Sequence, residues 1–212
     1  MPGFTDDPRH AEDLHAWHVL RPLLDGANYL PWSTGAMRPA GLVLVCNDIV
    51  QRGRTRIVEC GSGISTVILA RLLRERGDGA TITSLEHDAG WAALVTDMLR
   101  RESLGDVAQV VHAPLEGDPA WYARSALAET PDHVDLLVVD GPPAHAAGHG
   151  LRRAPALGAF APRLTRTATV VLDDVNRPGE REVLTGWESE TAWRFVIDEA
   201  SGLATGQRYL DV

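Results

Sequence analysis

The sequence contains no lysine, and all 20 of its basic residues are arginine. P-loop nucleotide-binding proteins, protein kinases and enzymes that form a Schiff base with pyridoxal phosphate all use a lysine side chain. The absence therefore removes most of the support for ATP-dependent and pyridoxal-phosphate-dependent chemistry.

Cysteine is scarce as well. Cys46 and Cys60 both lie in apolar runs, which is typical of buried, reduced thiols. No apolar run approaches the roughly 20 residues of a membrane span. Residues 1–10 are polar and acidic, unlike a signal peptide. We therefore expect a cytoplasmic protein.

Positive charge is in short supply, and the net charge is −9 at pH 7. Nucleic acids and anionic membranes both require a basic surface, so neither is expected as a partner. The length of 212 residues, with 44% hydrophobic and 23% charged residues, is that of an ordinary globular protein with one sizeable core.

Residues 56–66, RIVECGSGIST, form the central stretch of the chain. The apolar run at 57–60 predicts a short strand buried on both faces, and an apolar pattern at 67–70 starts a helix. Between them lies Gly61-Ser62-Gly63. Such a glycine turn lets backbone N–H groups and the positive end of a helix approach a polar ligand closely.

Glu59 precedes this turn by two residues. At the mouth of the loop a carboxylate would repel a pyrophosphate and attract an amino group. The pocket is therefore expected to bind a ligand with a cationic end, and S-adenosylmethionine (SAM) fits better than a dinucleotide.

Strands and helices alternate along the chain. After the first strand we predict strands at 80–85, 107–111, 134–139 and 168–172, followed by two late strands at 193–197 and 207–210 with no helix between them. This order predicts an α/β fold: a doubly wound, mostly parallel seven-stranded sheet with a C-terminal antiparallel hairpin and N-terminal helices.

The helices are predicted from capping residues and periodicity. Asp6-Asp7-Pro8 caps an N-terminal helix, and Asp118-Pro119 is expected to cap another. The remaining predicted helices run from Pro39 to Gly53, over 65–75, 91–99 and 151–163, and briefly from Pro178.

Acidic residues fall at the predicted strand ends: Glu59, Glu86, Asp140, Asp173 and Asp174. Ligands of open parallel sheets bind outside the carboxyl ends of the strands. Glu86 follows the glycine turn by about 25 residues, where an acidic residue binds the ribose hydroxyls of an adenosine-containing ligand.

Four motifs in order, ECGSGIST, SLEHD, DLLVVDGPP and VVLDDVNR, resemble those of class I SAM-dependent methyltransferases. The chain looks most similar to the small-molecule branch, which includes the macrocin-type sugar and natural-product O-methyltransferases. The resemblance covers roughly residues 40–212. It implies a Rossmann-like methyltransferase domain over residues 41–212, preceded by an N-terminal helix and covering loop at 1–40.

The resemblance also implies a set of SAM-binding residues. Glu59, Gly61 and Gly63 would surround the methionine end, Glu86 would bind the ribose, and the 113–115 turn would lie near adenine. The full set is Glu59, Gly61, Ser62, Gly63, Ser65, Thr66, Glu86, His87, Pro114, Leu115 and Asp140.

In macrocin-type enzymes the corresponding acids hold a divalent metal, which here would be bound by Asp140, Asp173 and Asp174. Three converging carboxylates repel one another unless a cation or a proton neutralises them, and Mg²⁺ suits oxygen ligands. The alternative is that Asp174 turns away to cap the next helix.

The general base is less well defined. Relatives often carry an acidic residue two positions after the Asp that corresponds to Asp140, where this sequence has Pro142. His145 and His149 follow in the same loop and titrate near neutral pH. Their spacing also suits zinc, although no third ligand is evident. We predict Asp140, His145 and Asp173 as the catalytic residues.

The loop at residues 25–41 carries Tyr29, Trp32 and Met37, which are predicted, with Arg177, to bind the substrate. The alternative is that these side chains pack the N-terminal helix onto the domain. We predict a methyltransferase that acts on a small molecule such as a sugar or natural-product intermediate. A hydroxyl is favoured over a nitrogen as the methyl acceptor. Whether the protein forms a homodimer is left open. The rivals are an NAD(P)-dependent oxidoreductase and a non-catalytic SAM-fold partner subunit.

Overall fold

The computed structural model describes residues 8–25 and 28–209. Its centre is a seven-stranded sheet with the strand order β3-β2-β1-β6-β7-β9-β8. The seven strands are β1 (Arg56–Cys60), β2 (Thr81–Glu86), β3 (Ala108–His112), β6 (Val134–Val139), β7 (Leu164–Leu172), β8 (Trp193–Asp198) and β9 (Leu203–Arg208). Strands β1, β2, β3, β6 and β7 are parallel, and β8 and β9 form the predicted antiparallel hairpin. The predicted fold is confirmed.

The central strands are apolar on both faces because each face is covered by helices. In β1, Ile57 belongs to one hydrophobic cluster and Val58 to the other. In β6, Leu136 and Leu137 divide in the same way. This alternation explains why the strands appear in the sequence as continuous apolar runs rather than as alternating patterns.

The register of the sheet places four strand ends at one level. Cys60 pairs with Leu85 on one side and with Val139 on the other, and Val139 pairs with Leu172. The polar residues that follow these strands are therefore carried to a single edge of the sheet, as ligand sites of open parallel sheets require.

Seven α-helices flank the sheet in the described ranges: α1 (Pro8–Leu20), α2 (Pro39–Arg52), α3 (Ile64–Arg76), α4 (Ala89–Arg101), α5 (Arg124–Leu127), α6 (Pro155–Phe160) and α7 (Pro178–Glu190). A short 3₁₀ turn, Arg21–Leu23, follows α1. Helix α2 starts at Pro39 and ends before Gly53, as predicted, and Asp88 caps α4 by accepting a hydrogen bond from the N–H of Trp91 at 2.7 Å. None of the described helices is long and apolar enough to cross a bilayer.

Two of the helix predictions are wrong. Asp118-Pro119 does not start a helix; it lies in the turn between two short strands, β4 (Leu115–Glu116) and β5 (Trp121–Tyr122). The helix expected over 151–163 is limited to α6. Helix α7 starts at Pro178 as predicted but continues to Glu190, so it is longer than the short helix that was expected. The Asp6-Asp7 cap lies outside the described residues.

The N-terminal segment contributes to the main core. Leu20, Leu23 and Leu30 are buried in the same cluster as Ile57. The guanidinium of Arg71, on α3, donates to the backbone oxygen of Leu23 at 2.9 Å. The described residues before position 40 therefore pack as part of the domain, and the division at residue 40 stays a prediction.

Candidate active site

The glycine turn after β1 contacts the loop after β6 too closely for any side chain. Gly61 has φ of 92°, and a Cβ there would lie 2.9 Å from the backbone nitrogen of Gly141. A Cβ on Gly141 would lie 2.6 Å from the hydroxyl of Tyr122. Glycine is required at both positions, because the two loops pack backbone against backbone.

A cavity of about 330 Å³ opens above this contact, at the carboxyl ends of the central strands. One wall comes from the loop before α2, and the other walls come from the sheet edge and from α4. The lining residues are Pro31, Ser33, Gly35, Ala36, Met37, Gly61, Ser62, Gly63, Ile64, Ser65, Glu86, His87, Asp88, Trp91, Tyr122, Asp140, Gly141 and Pro143.

Glu86 presents a fixed carboxylate in the cavity wall. One oxygen accepts hydrogen bonds from the N–H and the hydroxyl of Ser62, at 3.1 and 3.2 Å. The other accepts from the N–H of Asp88 at 2.9 Å and lies 2.8 Å from Nδ1 of His87. Trp91 braces the same turn by donating from its indole nitrogen to the backbone oxygen of Ser62 at 2.7 Å. These contacts hold Glu86 as a charged hydrogen-bond acceptor at the site.

Glu59 does not line the cavity, so its direct contact with the ligand stays a prediction. Its carboxylate is fully buried and accepts hydrogen bonds from the hydroxyls of Ser65, Thr66 and Ser84. Burial raises the pKa of Glu59, and the three hydroxyls oppose that rise. Glu59 therefore fixes the first turn of α3 from beneath.

Asp140 lies in the cavity wall next to Gly141. Burial and the charge of Asp173 raise the pKa of Asp140 well above its ordinary value, and Arg153 opposes the rise. Burial and the charge of Asp174 raise the pKa of Asp173 to about 6. Asp173 itself does not line the cavity.

Arg153 is the residue near these acids that the sequence did not reveal. It is 3% exposed and precedes α6. Its Nη2 atom lies 3.4 Å from a carboxylate oxygen of Asp140 and 3.1 Å from one of Asp174. Its Nη1 atom donates to the backbone oxygen of Asp173 at 3.1 Å.

The predicted metal ligands do converge. Asp140, Asp173 and Asp174 each offer one carboxylate oxygen, and these atoms lie within 4.8 Å of one another. The donor type suits Mg²⁺. The guanidinium of Arg153 contacts the carboxylates of Asp140 and Asp174, so its positive charge opposes the binding of a divalent ion by these acids.

Tyr122 is a second residue that the sequence did not reveal. Tyr122 lines the cavity, and its hydroxyl is buried without a hydrogen-bond partner among the described residues. Burial raises its pKa well above the ordinary value, so the group stays protonated and available as a donor. A buried polar group without a partner is costly, and a ligand in the cavity would satisfy it.

Some of the remaining predicted site residues line the cavity and others do not. Of the SAM-binding set, Gly61, Ser62, Gly63, Ser65, Glu86, His87 and Asp140 line the cavity, whereas Glu59, Thr66, Pro114 and Leu115 do not. The predicted base His145 is exposed and outside the cavity. Its neighbour His149 contacts Arg152 at 2.8 Å, and among the described residues no third ligand joins these histidines for zinc.

The predicted substrate residues behave differently from one another. Met37 lines the cavity, while Tyr29 is 88% exposed and lies outside it. Trp32 packs against Trp17 of α1 with ring centroids 4.5 Å apart, as expected if this side chain holds the N-terminal helix on the domain. Arg177 pairs with Asp174 at 2.6 Å and does not line the cavity. The loop that covers the cavity is therefore the part at residues 31–37.

Residues 58–175, more than half of the chain, match the family described as "Methyltransferase domain". The chain belongs to this family, which confirms the prediction of a methyltransferase and favours it over an NAD(P)-dependent oxidoreductase. None of the curated proteins compared with the chain matches it. The macrocin-type branch stays a prediction.

Solved structures share the fold at low identity. The Podospora anserina methyltransferase PaMTH1, solved with S-adenosylhomocysteine (SAH), is 15% identical with a TM-score of 0.67, over 93% of this chain and 88% of that one. The Bacillus cereus O-methyltransferase, also with SAH, is 16% identical with a TM-score of 0.61, over 92% and 90%. TomG from Streptomyces achromogenes, an O-methyltransferase involved in tomaymycin synthesis and solved with SAM, is 16% identical with a TM-score of 0.60, over 98% and 92%.

Proposed function

We propose that this chain is a SAM-dependent O-methyltransferase that acts on a small molecule. Support comes from the family, from the cavity at the strand ends and from the SAM or SAH in structures of the same fold. TomG is described as an enzyme of tomaymycin synthesis, and a natural-product or sugar acceptor is proposed here on that similarity and on the four sequence motifs.

The observation that carries the proposal is the carboxylate of Glu86. Ser62 and Asp88 fix its orientation, and it faces a cavity large enough for a small ligand. A charged acceptor held in this way suits the two neighbouring hydroxyls of a ribose. The turn at Gly61 and the start of α3 offer backbone N–H groups and positive potential to the carboxylate of the methionine end.

Bound SAM would supply an activated methyl group, which leaves the sulfonium sulfur and its electron pair behind and forms a bond to the acceptor oxygen. The protein has to position the acceptor, exclude water and remove the hydroxyl proton. Of the predicted catalytic residues Asp140, His145 and Asp173, the one that lines the cavity is Asp140. We assign proton removal to Asp140, whose raised pKa makes it a stronger base than an ordinary carboxylate.

The predicted Mg²⁺ has no part in this scheme. Arg153 already contacts Asp140 and Asp174, so no step is assigned to a metal. The cytoplasmic location and the absence of nucleic-acid and membrane partners stay proposals based on composition. The small-molecule acceptor rests on the resemblance in the four motifs, and a homodimer stays an open possibility.

The test is calorimetry with SAM, SAH and NAD, followed by transfer of labelled methyl from SAM to matched panels of hydroxylated compounds and amines. We expect SAM and SAH to bind and label to appear in the hydroxylated panel. Binding of NAD without SAM would overturn the proposal, and label confined to the amines would replace the oxygen acceptor by a nitrogen. SAM binding without turnover on any panel would favour the partner-subunit alternative.

A further inference from the structure

Four carboxylates converge where β6 and β7 end and α7 begins: Asp140, Asp173, Asp174 and Glu180. Asp173 and Glu180 are buried, at 5% and 1% exposed, the side chain of Asp140 is 11% exposed, and that of Asp174 is 25% exposed. Like charges this close in a poorly solvated region repel strongly unless a cation or a proton neutralises them.

Arg153 is placed to be that cation. Its Nη2 atom lies 3.4 Å from Asp140 Oδ1 and 3.1 Å from Asp174 Oδ2, and its Nη1 atom lies 3.7 Å from Glu180 Oε1. Arg177 closes the other side of the cluster, 2.6 Å from Asp174 and 3.6 Å from Glu180. A guanidinium stays charged at every physiological pH, so this neutralisation is permanent.

Backbone hydrogen bonds hold the guanidinium in place. Arg153 donates to the backbone oxygens of Asp140 at 2.5 Å, Asp173 at 3.1 Å and Pro142 at 3.4 Å. The side chain therefore ties together the ends of β6 and β7 as well as pairing with the acids. Moving it would leave buried carbonyl oxygens without donors, which costs free energy.

A divalent metal would need the same space. Mg²⁺ lies about 2.0–2.1 Å from each oxygen ligand. An ion that bound Asp140 Oδ1 and Asp174 Oδ2 would compete with Nη2 of Arg153, which contacts both oxygens, at 3.4 and 3.1 Å. Both sterics and like charge oppose that arrangement.

We propose that Arg153 is the resident cation of this acidic cluster and takes the place of a divalent metal, so that the enzyme is metal-independent. Arg153 is a positioning residue: it holds Asp140 at the cavity wall and does not itself line the cavity. The ion-binding state of the cluster does not depend on the acceptor proposed above, so the two proposals can fail separately.

The test is Mn²⁺ binding to the full-length protein, followed by the electron paramagnetic resonance signal of the free ion. We expect the natural chain to leave Mn²⁺ free and Arg153→Met to bind one Mn²⁺, which the double variant Arg153→Met, Asp173→Asn loses. Arg152→Met is the matched control, because Arg152 is a neighbouring arginine that pairs with His149 instead of the acids, and it should bind none.

Stoichiometric Mn²⁺ binding by the natural chain, lost in Asp173→Asn, would overturn the proposal. So would a folded Arg153→Met variant that binds no Mn²⁺. If Arg153→Met does not fold, the natural chain still decides: its Tm should be the same in EDTA and in excess Mn²⁺, since an ion bound to the native state would raise it. A rise in Tm with Mn²⁺ would overturn the proposal.

Discussion

Ser62 donates both its backbone N–H and its hydroxyl to the same oxygen of Glu86, at 3.1 and 3.2 Å. The glycine turn after β1 and the acidic residue at the end of β2 are therefore one unit, although Ser62 and Glu86 are 24 positions apart in the chain. A ligand bound by Glu86 is positioned relative to the turn by this contact.

The first prediction concerns Glu86. Replacing Glu86 by Gln removes the charge and keeps the shape, and Glu86→Ala removes the acceptor altogether. A hydrogen bond to a charged group contributes about 1.5–3 kcal/mol, so SAM affinity should fall roughly tenfold or more in Glu86→Ala and less in Glu86→Gln. Calorimetry measures this. The control is Glu116→Ala, at an exposed glutamate of β4, and equal losses in both would show that the site is elsewhere.

The second prediction concerns Tyr122. Its hydroxyl has no partner among the described residues, so Tyr122→Phe should leave Tm unchanged or raise it. If the hydroxyl donates to bound SAM, the Kd for SAM should rise about threefold to tenfold. Tyr29→Phe, at an exposed tyrosine outside the cavity, is the matched control. A lower Tm with unchanged SAM affinity would mean that the hydroxyl has a structural role instead.

Much of the fold could be predicted because its signals are local. The apolar run at 134–139 is a strand buried on both faces, and such a run can be recognised from the local sequence alone, without knowing which strands pack beside it. Asp118-Pro119 is different, because the same dipeptide suits a helix start and a turn. Gly117, with φ of 81°, belongs to the hairpin turn that was formed instead.

The site could be predicted only in part. Glu59 lies two residues after Ile57 in β1 and so shares its face, which packs on the cluster that includes α3. That alternation was the available signal that Glu59 does not line the cavity. Arg153 gave no such signal: it follows Arg152 directly, and its burial comes from residues 11 to 20 positions away.

The third prediction concerns the pH dependence of stability. The pKa of Asp173 is raised from 3.8 to about 6, so the native state binds a proton more tightly than the unfolded state does. The free energy of unfolding therefore falls as pH rises through this window, by an amount of the order of 3 kcal/mol. Asp173→Asn should remove that fall and be more stable than the natural chain at neutral pH, and equally stable near pH 3.

Chemical denaturation at a series of pH values measures this difference. Asp132→Asn, at an aspartate whose side chain is 88% exposed, should follow the natural chain throughout. A constant difference between Asp173→Asn and the natural chain at all pH values would contradict the raised pKa.

The last prediction separates the two candidate bases. Asp140 lines the cavity, whereas His145 is exposed and outside it. General base catalysis contributes about 10²- to 10⁴-fold, so Asp140→Asn should lower kcat within that range, and His145→Ala should leave kcat within a few-fold. The base acts when it is deprotonated, and the pKa of Asp140 is raised, so kcat of the natural enzyme should rise with pH. In Asp140→Asn this rise of kcat with pH, the ascending limb of the pH–rate profile, should be absent. Single-turnover methyl transfer at several pH values measures both effects. The opposite ranking, with the pH limb lost in His145→Ala, would move the base to the loop after β6 and leave Asp140 with a binding role alone.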